Sequence, residues 1–218
     1  MNVISWFLDL LYPPKCVFCR KLLPEGQQDV CDDCRIWLPN TSGEIKHISF
    51  CKGAYSLYYY EDDVPGSVRR FKFSGKSGYG RSYGRLLAQE ILRQKIPYDL
   101  ITFVPVSAKR RFARGYDQCR LMAKTVGREL SAPVHRCLVK HRDNPAQSGL
   151  KDSSQRAANV RGVYRSYKPE RFSGKKILLI DDVLTTGATV SECCNVLMLA
   201  GASEVRCLTL AAARKLYK

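Results

Sequence analysis

Acidic side chains and histidine are scarce in this 218-residue chain: 20 Asp and Glu stand against 36 Lys and Arg, a formal net charge of +16, and there are three histidines. His47, His135 and His141 are scattered. They match neither the paired-histidine helix of a metalloprotease nor a nucleophile triad, which leaves each a structural or surface role. A long hydrophobic run is also missing. The apolar start, Met1 to Leu11 with Trp6 and Phe7, is broken by Asp9 and closed by Pro13-Pro14. It falls short of the ~18 apolar residues of a spanning helix and lacks a basic leader and a small-residue cleavage site. No transmembrane segment and no secretory signal are expected, and the expected compartment is cytoplasmic. As a short helix this start would cover an apolar face or dock a partner. A Walker loop is absent too: Gly75-Lys76-Ser77 imitates its end, but the glycine required five residues earlier is Arg70.

Cysteine, by contrast, is abundant, with ten residues. Cys16-Val17-Phe18-Cys19 and Cys31-Asp32-Asp33-Cys34 are separated by eleven residues that include Pro24, Glu25 and Gly26. Two such turns can close a tetrahedron of thiolates around zinc, and in a segment with so little core of its own the metal would stabilise the fold. A thioredoxin-like redox site needs one such turn beside a βαβ unit, and a secreted disulfide framework needs an export signal. Structural zinc on Cys16, Cys19, Cys31 and Cys34 is therefore expected. Cys119, Cys137, Cys193, Cys194 and Cys207 fall in apolar patterns and read as small buried hydrophobes. Cys51 follows the knuckle and stays unassigned.

The richest stretch is Ile177-Leu178-Leu179-Ile180-Asp181-Asp182-Val183-Leu184-Thr185-Thr186-Gly187-Ala188-Thr189-Val190. An apolar run of this kind is a buried parallel strand, and Val190, Cys193, Val196, Leu197 and Leu199 suit a helix packed on the sheet. Strand, polar turn and helix make an anion site: threonine hydroxyls donate, Gly187 lets the backbone approach, and the helix start carries unpaired N–H groups. The carboxylates just upstream cannot bind the same phosphate, but they accept hydrogen bonds from a vicinal diol. The ligand implied carries a sugar and a phosphate together.

Elsewhere the pattern alternates. Ala54 to Tyr60 reads as a strand before a turn at Glu61 to Gly66, and Val68 to Ser77 reads as a basic, aromatic-interleaved turn facing either a ligand or solvent. Helical spacing runs from Tyr83 to Ile91 and from about Tyr116 to Leu130, with a buried strand at Leu100 to Val106 between them. Short strands follow near Val134 to Val139 and Val160 to Tyr164, then the motif strand, its helix, and Val205 to Leu210. The expectation is an α/β domain over 54–218 with a mostly parallel sheet flanked by helices, behind an N-terminal helix and zinc knuckle over 1–53. Ligands of such sheets sit at the carboxyl ends of strands. That directs attention to the loop from Pro105 to Gln118, where Ser107, Lys109, Arg110, Arg111 and Arg114 offer donors for a pyrophosphate.

The Asp-Asp-Thr/Gly stretch resembles the binding motif of the type I phosphoribosyltransferase family. By that resemblance Asp181 and Asp182 hold the ribose 2′- and 3′-hydroxyls of phosphoribosyl pyrophosphate, Val183 and Leu184 lead into the loop, and Thr185, Thr186, Gly187, Ala188 and Thr189 wrap the 5′-phosphate. Arg114-Gly115-Tyr116-Asp117-Gln118, together with Gln147-Ser148-Gly149-Leu150 and Arg156-Ala157-Ala158-Asn159-Val160, is similar to the ComF family, nearest to its ComFC type. The polar segment carrying Arg142, Gln147 and Arg156 lies where that fold carries a mobile loop over its ligand. The resemblance implies a role in DNA uptake during natural transformation. It also implies contact with single-stranded DNA, a possible helicase or recombination-mediator partner, and magnesium accompanying the pyrophosphate. An active transferase passing ribose 5-phosphate to an unidentified acceptor is the alternative. It needs no side-chain nucleophile, because the acceptor itself displaces pyrophosphate at the ribose C1; magnesium with Lys109, Arg110 and Arg114 would stabilise the charge growing on the leaving group. The basic excess suits a polyanion: Arg69-Arg70, Lys109-Arg110-Arg111, Arg161 with Arg165, Lys175-Lys176 and Arg214-Lys215 are interleaved with Phe71, Phe73, Tyr164 and Tyr167.

Overall fold

The computed structural model describes residues 13–142 and 159–214. The segment Met1 to Tyr12 and the expected lid residues Gln147 and Arg156 lie outside the described residues. In chain order the elements are α1 (Asp32–Trp37), β1 (Lys46–Ile48), β2 (Cys51–Tyr59), α2 (Asp63–Phe73), α3 (Tyr79–Gln94), β3 (Leu100–Phe103), α4 (Ala108–Arg114), α5 (Gln118–Glu129), β4 (Leu138–Lys140), β5 (Tyr164–Ser166), β6 (Lys176–Leu184), α6 (Ala188–Leu199) and β7 (Glu204–Ala212). Five strands form one sheet in the order β1-β2-β7-β6-β3. Pairs β2–β7, β7–β6 and β6–β3 are parallel, with Leu179 opposite both Cys207 and Thr102, while β1 is antiparallel to β2. The expected α/β fold, a mostly parallel sheet flanked by helices, is thus present.

The centre of the sheet is apolar on both faces, which is why Ile177 to Ile180 of β6 read as an unbroken hydrophobic run. Successive side chains alternate. Leu178 and Ile180 join a core with Phe71, Tyr83, Leu87 and Met122 of α2, α3 and α5, whereas Ile177 and Leu179 join a second core with Val190, Cys193 and Leu197 of α6 and Tyr164 of β5. On the first face α3 and α5 pack closely at Gly84, where a Cβ would lie 2.4 Å from the Thr125 Cβ.

Three local readings are corrected. The turn expected at Glu61 to Gly66 and the basic turn after it are one helix, α2, with Val64, Ser67, Val68 and Phe71 buried at helical spacing. Pro65-Gly66 imitates a turn, yet proline is tolerated in the first turn of a helix, where N–H groups have no intrahelical partner. The short strands expected near Val134 and Val160 are realised a few residues further on as β4 and β5. They pair antiparallel with each other, outside the main sheet. The strand before the threonine turn does not stop at the carboxylates but runs through them to Leu184, carried by pairing to β7 as far as Ala212.

Candidate functional site

At the carboxyl end of β6 the sheet opens into a cavity of about 960 Å³ with Asp181 and Asp182 in its wall. That volume is at the upper end of ordinary ligand pockets, ~300–1,000 Å³. Asp181 is 8% exposed. Its Oδ1 accepts the Asp182 N–H at 2.9 Å and the Cys119 thiol at 3.3 Å. Burial, and then the neighbouring Asp182 charge, push the Asp181 carboxyl up to about 7. Asp182 is held differently: Lys72 Nζ, from the last turn of α2, donates to its Oδ1 at 2.8 Å. Burial acts to lower the Lys72 ammonium, but the attraction of Asp182, with a further contribution from Asp181, prevails and holds it above its ordinary value. The pair is therefore one carboxyl that takes a proton near neutrality beside one carboxylate neutralised by a lysine. Lys72 is the main residue that sequence reasoning placed only in a basic turn, because its partner lies 110 residues away.

The threonine turn follows. Gly187 has φ of +81°, and a Cβ there would meet Ile48 Cδ1 at 2.4 Å, so both conformation and space require glycine. The N-cap of α6, Gly187, has no side chain to cap the helix, and the first turn holds no acidic residue, which suits an anion at its positive end. Thr186 Oγ1 accepts the Ala188 N–H at 3.4 Å. Val183, Thr185 and Thr189 line the cavity, whereas Leu184 is buried in the core.

Opposite stands the basic loop. Ser107, expected in the pyrophosphate loop, is buried and caps α4, its Oγ accepting the Arg110 N–H at 3.3 Å. Asp117 caps α5 and ties the two ends of the loop together: Oδ1 accepts from Arg120 N at 3.0 Å and Oδ2 from Val106 N at 3.3 Å. Arg110 and Arg114, one helical turn apart, both line the cavity, and the Arg114 guanidinium lies 5.1 Å from the Phe73 ring centroid. Lys109 and Arg142 are exposed and lie outside that lining. Arg69, Lys140 and Tyr164 enter it without having been singled out for the cleft. Cations on one side, a threonine turn at a helix start and two carboxylates make a receptor for a polyanion that also carries hydroxyls.

The four N-terminal cysteines converge as expected. Their sulfurs lie within 4.8 Å of one another, all are free thiols, and the Cys19–Cys31 separation is 3.5 Å. A tetrahedral zinc with ~2.3 Å bonds places sulfurs about 3.8 Å apart, so this set fits the ion. Burial pushes the Cys16 thiol up, but hydrogen bonds from the backbone of Cys31, Cys19 and Phe18 outweigh it and lower it to about 7, whereas burial holds Cys19 and Cys34 above the ordinary thiol value, protons that a bound metal would displace. Cys51 is not in this group; its thiol donates to Gly53 O at 3.3 Å. The knuckle docks on α2 and α3. Ser67 Oγ and the Arg70 guanidinium donate to Val17 O, Arg70 also reaches Phe18 O at 2.5 Å, and Arg85 pairs with Asp29 at 2.7 and 2.5 Å.

Comparison with known proteins agrees with both halves. Residues 117–218 match the model of the phosphoribosyl transferase domain family, and residues 7–45 that of the double zinc ribbon domain. Competence protein F of Haemophilus influenzae is 26% identical over 91% of this chain and 97% of its own. Competence protein ComFC of Bacillus subtilis is 26% identical over 89% of this chain and 76% of its own. The DNA utilization protein YhgH of Escherichia coli is 29% identical over 90% of this chain and 96% of its own. Among the described residues no helix is long and apolar enough to cross a membrane.

Proposed function

The chain is ComFC-like, a phosphoribosyl transferase domain behind a zinc ribbon, and on that premise we propose that its cleft binds phosphoribosyl pyrophosphate, or a related sugar phosphate, while its basic surface carries single-stranded DNA in competence-linked DNA uptake. The observation that carries the ligand reading is the juxtaposition, at one cleft, of Asp181 and Asp182, the Thr185 to Thr189 turn at the start of α6, and the inward-facing Arg110 and Arg114. In this reading the carboxyl pair takes the ribose hydroxyls and the turn takes the 5′-phosphate. Arg110 and Arg114 meet the pyrophosphate, for which magnesium would be the counterion, while Lys109 stands outside the cleft lining. Ser107 acts by holding α4 in place. The cytoplasm, where single-stranded DNA would be handed to a helicase or recombination mediator, is the corresponding compartment.

Saturation with phosphoribosyl pyrophosphate and magnesium should raise the thermal midpoint, since ligand at 100 times Kd stabilises by about 2.7 kcal/mol. The shift should disappear in Asp181→Asn/Asp182→Asn, and an undiminished shift in that variant would refute the assignment. The transferase alternative draws on the size of the cavity and on Tyr60, Val68 and Phe73 in its lining, an apolar wall suited to a base. In that reaction the C1–diphosphate bond breaks, the acceptor bonds to C1, and the acceptor proton leaves to solvent. Pyrophosphate release on incubation with candidate bases measures it; no release with any base leaves a binding protein.

A further inference from the structure

Beside the cleft lies a second concavity, of about 420 Å³, between α3 and α5, whose walls include Ser77, Gly78, Arg81, Lys124, Thr125 and Arg128. Three cations surround this space, and like charges in proximity repel. Arg81, Lys124 and Arg128 are exposed, and none of the three is in an ion pair among the described residues. The Arg128 guanidinium donates to Thr125 Oγ1 at 3.3 Å, which fixes it at the rim. Arg120, also exposed, continues the row one turn earlier on α5. Residues four apart share a helix face, so Arg120, Lys124 and Arg128 form a stripe about 12 Å long.

The two cavities are neighbours through shared elements. Phe73 and Gly75 line the large cleft and Ser77 and Gly78 the basic concavity, at most about 7 Å apart along the chain between Gly75 and Ser77. On α5, Cys119 faces the cleft while Lys124, Thr125 and Arg128 face the concavity. Phe73, in the cleft lining close to this junction, is 71% exposed. An elongated row of cations with an exposed ring near its end suits a chain of phosphates with unpaired bases better than a single small anion, because the ring offers stacking and the row offers successive neutralisation.

We propose that the α3–α5 concavity and the Arg120, Lys124, Arg128 stripe form the track for the phosphodiester backbone of single-stranded nucleic acid, which runs past Phe73 to the rim of the sugar-phosphate cleft. At about 3.4 Å per nucleotide of a stacked strand the stripe spans three or four phosphates. The inference rests on the single-strand reading above and gives it a location.

The test is fluorescence anisotropy of the full chain with a labelled oligo-deoxythymidine longer than the ~4–16 nucleotides that a small domain covers, titrated across salt concentrations. Arg81→Gln/Arg120→Gln/Lys124→Gln/Arg128→Gln should bind at least about tenfold more weakly near 0.1 M salt. The slope of log K against log salt should become shallower by about 2 to 3, at about 0.7 per phosphate contact. A charge-matched control, Lys52→Gln/Lys95→Gln/Lys168→Gln/Arg171→Gln, alters exposed residues outside the lining of both cavities, and should keep the wild-type slope. Unaltered thermal midpoints establish that both variants are folded. Equal losses in the two variants, or no loss in the first, overturn the track while leaving single-strand binding intact. Absence of wild-type binding at low salt overturns both.

Discussion

Replacing Lys72 by methionine keeps the length of the side chain and removes the cation opposite Asp182. The gross attraction of unit charges 2.8 Å apart, at an effective dielectric near 20, is about 6 kcal/mol. Side-chain exposures of 23% and 16% admit water that screens part of this, and desolvating the lysine offsets more. The expected net loss is about 2–3 kcal/mol at pH 8. It should depend on pH in a defined sense. Asp181 has a folded pKa of about 7, above its value in an unfolded chain, ~3.9. Between those values the folded state binds a proton that the unfolded state has lost, so stability falls as pH rises from about 4 to about 7 and levels off above. Without Lys72, whose charge lowers it, the folded pKa of Asp181 rises further and the fall continues past pH 7. At pH 5 Asp181 is protonated in both proteins, and the variant should lose only about 1 kcal/mol. For a chain of this size, 1 kcal/mol shifts Tm by about 2–4 °C, so thermal denaturation should show a drop of about 4–12 °C at pH 8 and less than half of that at pH 5. Equal drops at the two pH values would mean that lost packing, not charge, is the cause, and no drop at pH 8 would refute the pairing.

Three further outcomes follow from the geometry. Asp181→Asn should abolish most of the decline in stability between pH 4 and pH 7, which on the span between the two pKa values amounts to up to about 4 kcal/mol; urea midpoints measured across that range that still decline as in the wild type would contradict the buried-proton account. Gly84→Ala should destabilise by about 2 kcal/mol although alanine is the better helix former by about 1 kcal/mol, because its Cβ would sit 2.4 Å from the Thr125 Cβ, and an unchanged urea midpoint would show that α3 and α5 separate freely. Metal analysis should find about one zinc per chain, with chelation releasing it and lowering the thermal midpoint; a folded, metal-free protein whose midpoint ignores chelator would eliminate structural zinc.

What could be read from sequence was what lies contiguous in it. The carboxyl pair, the threonine turn and the helix after it occupy one short stretch because strand, turn and helix start are consecutive, and each states its requirement in residue type: apolar run, acids, hydroxyls, a glycine at positive φ. The four cysteines were legible for the same reason, each pair being its own tight turn. Lys72 was not, since only the packing of α2 against the sheet brings it to Asp182. The helix that carries it was hidden by Pro65-Gly66, which local punctuation reads as a turn although the buried spacing of Val64, Val68 and Phe71 is helical. Strands β4 and β5, three residues each, are too short for any periodicity to fix their limits or partners. Within the basic loop, composition identified four cations, but only the helical turn that separates Arg110 from Arg114 decides which of them face the cleft.

The central claim is that Asp181 and Asp182 are receptors for a phosphoribosyl ligand, and calorimetric titration of phosphoribosyl pyrophosphate with magnesium into the wild-type chain and into Asp181→Asn/Asp182→Asn tests it most directly. Saturable binding at one site per chain in the wild type, absent from the variant, is the predicted result. Equal affinity in the two proteins, or no heat of binding to the folded wild type, would contradict it.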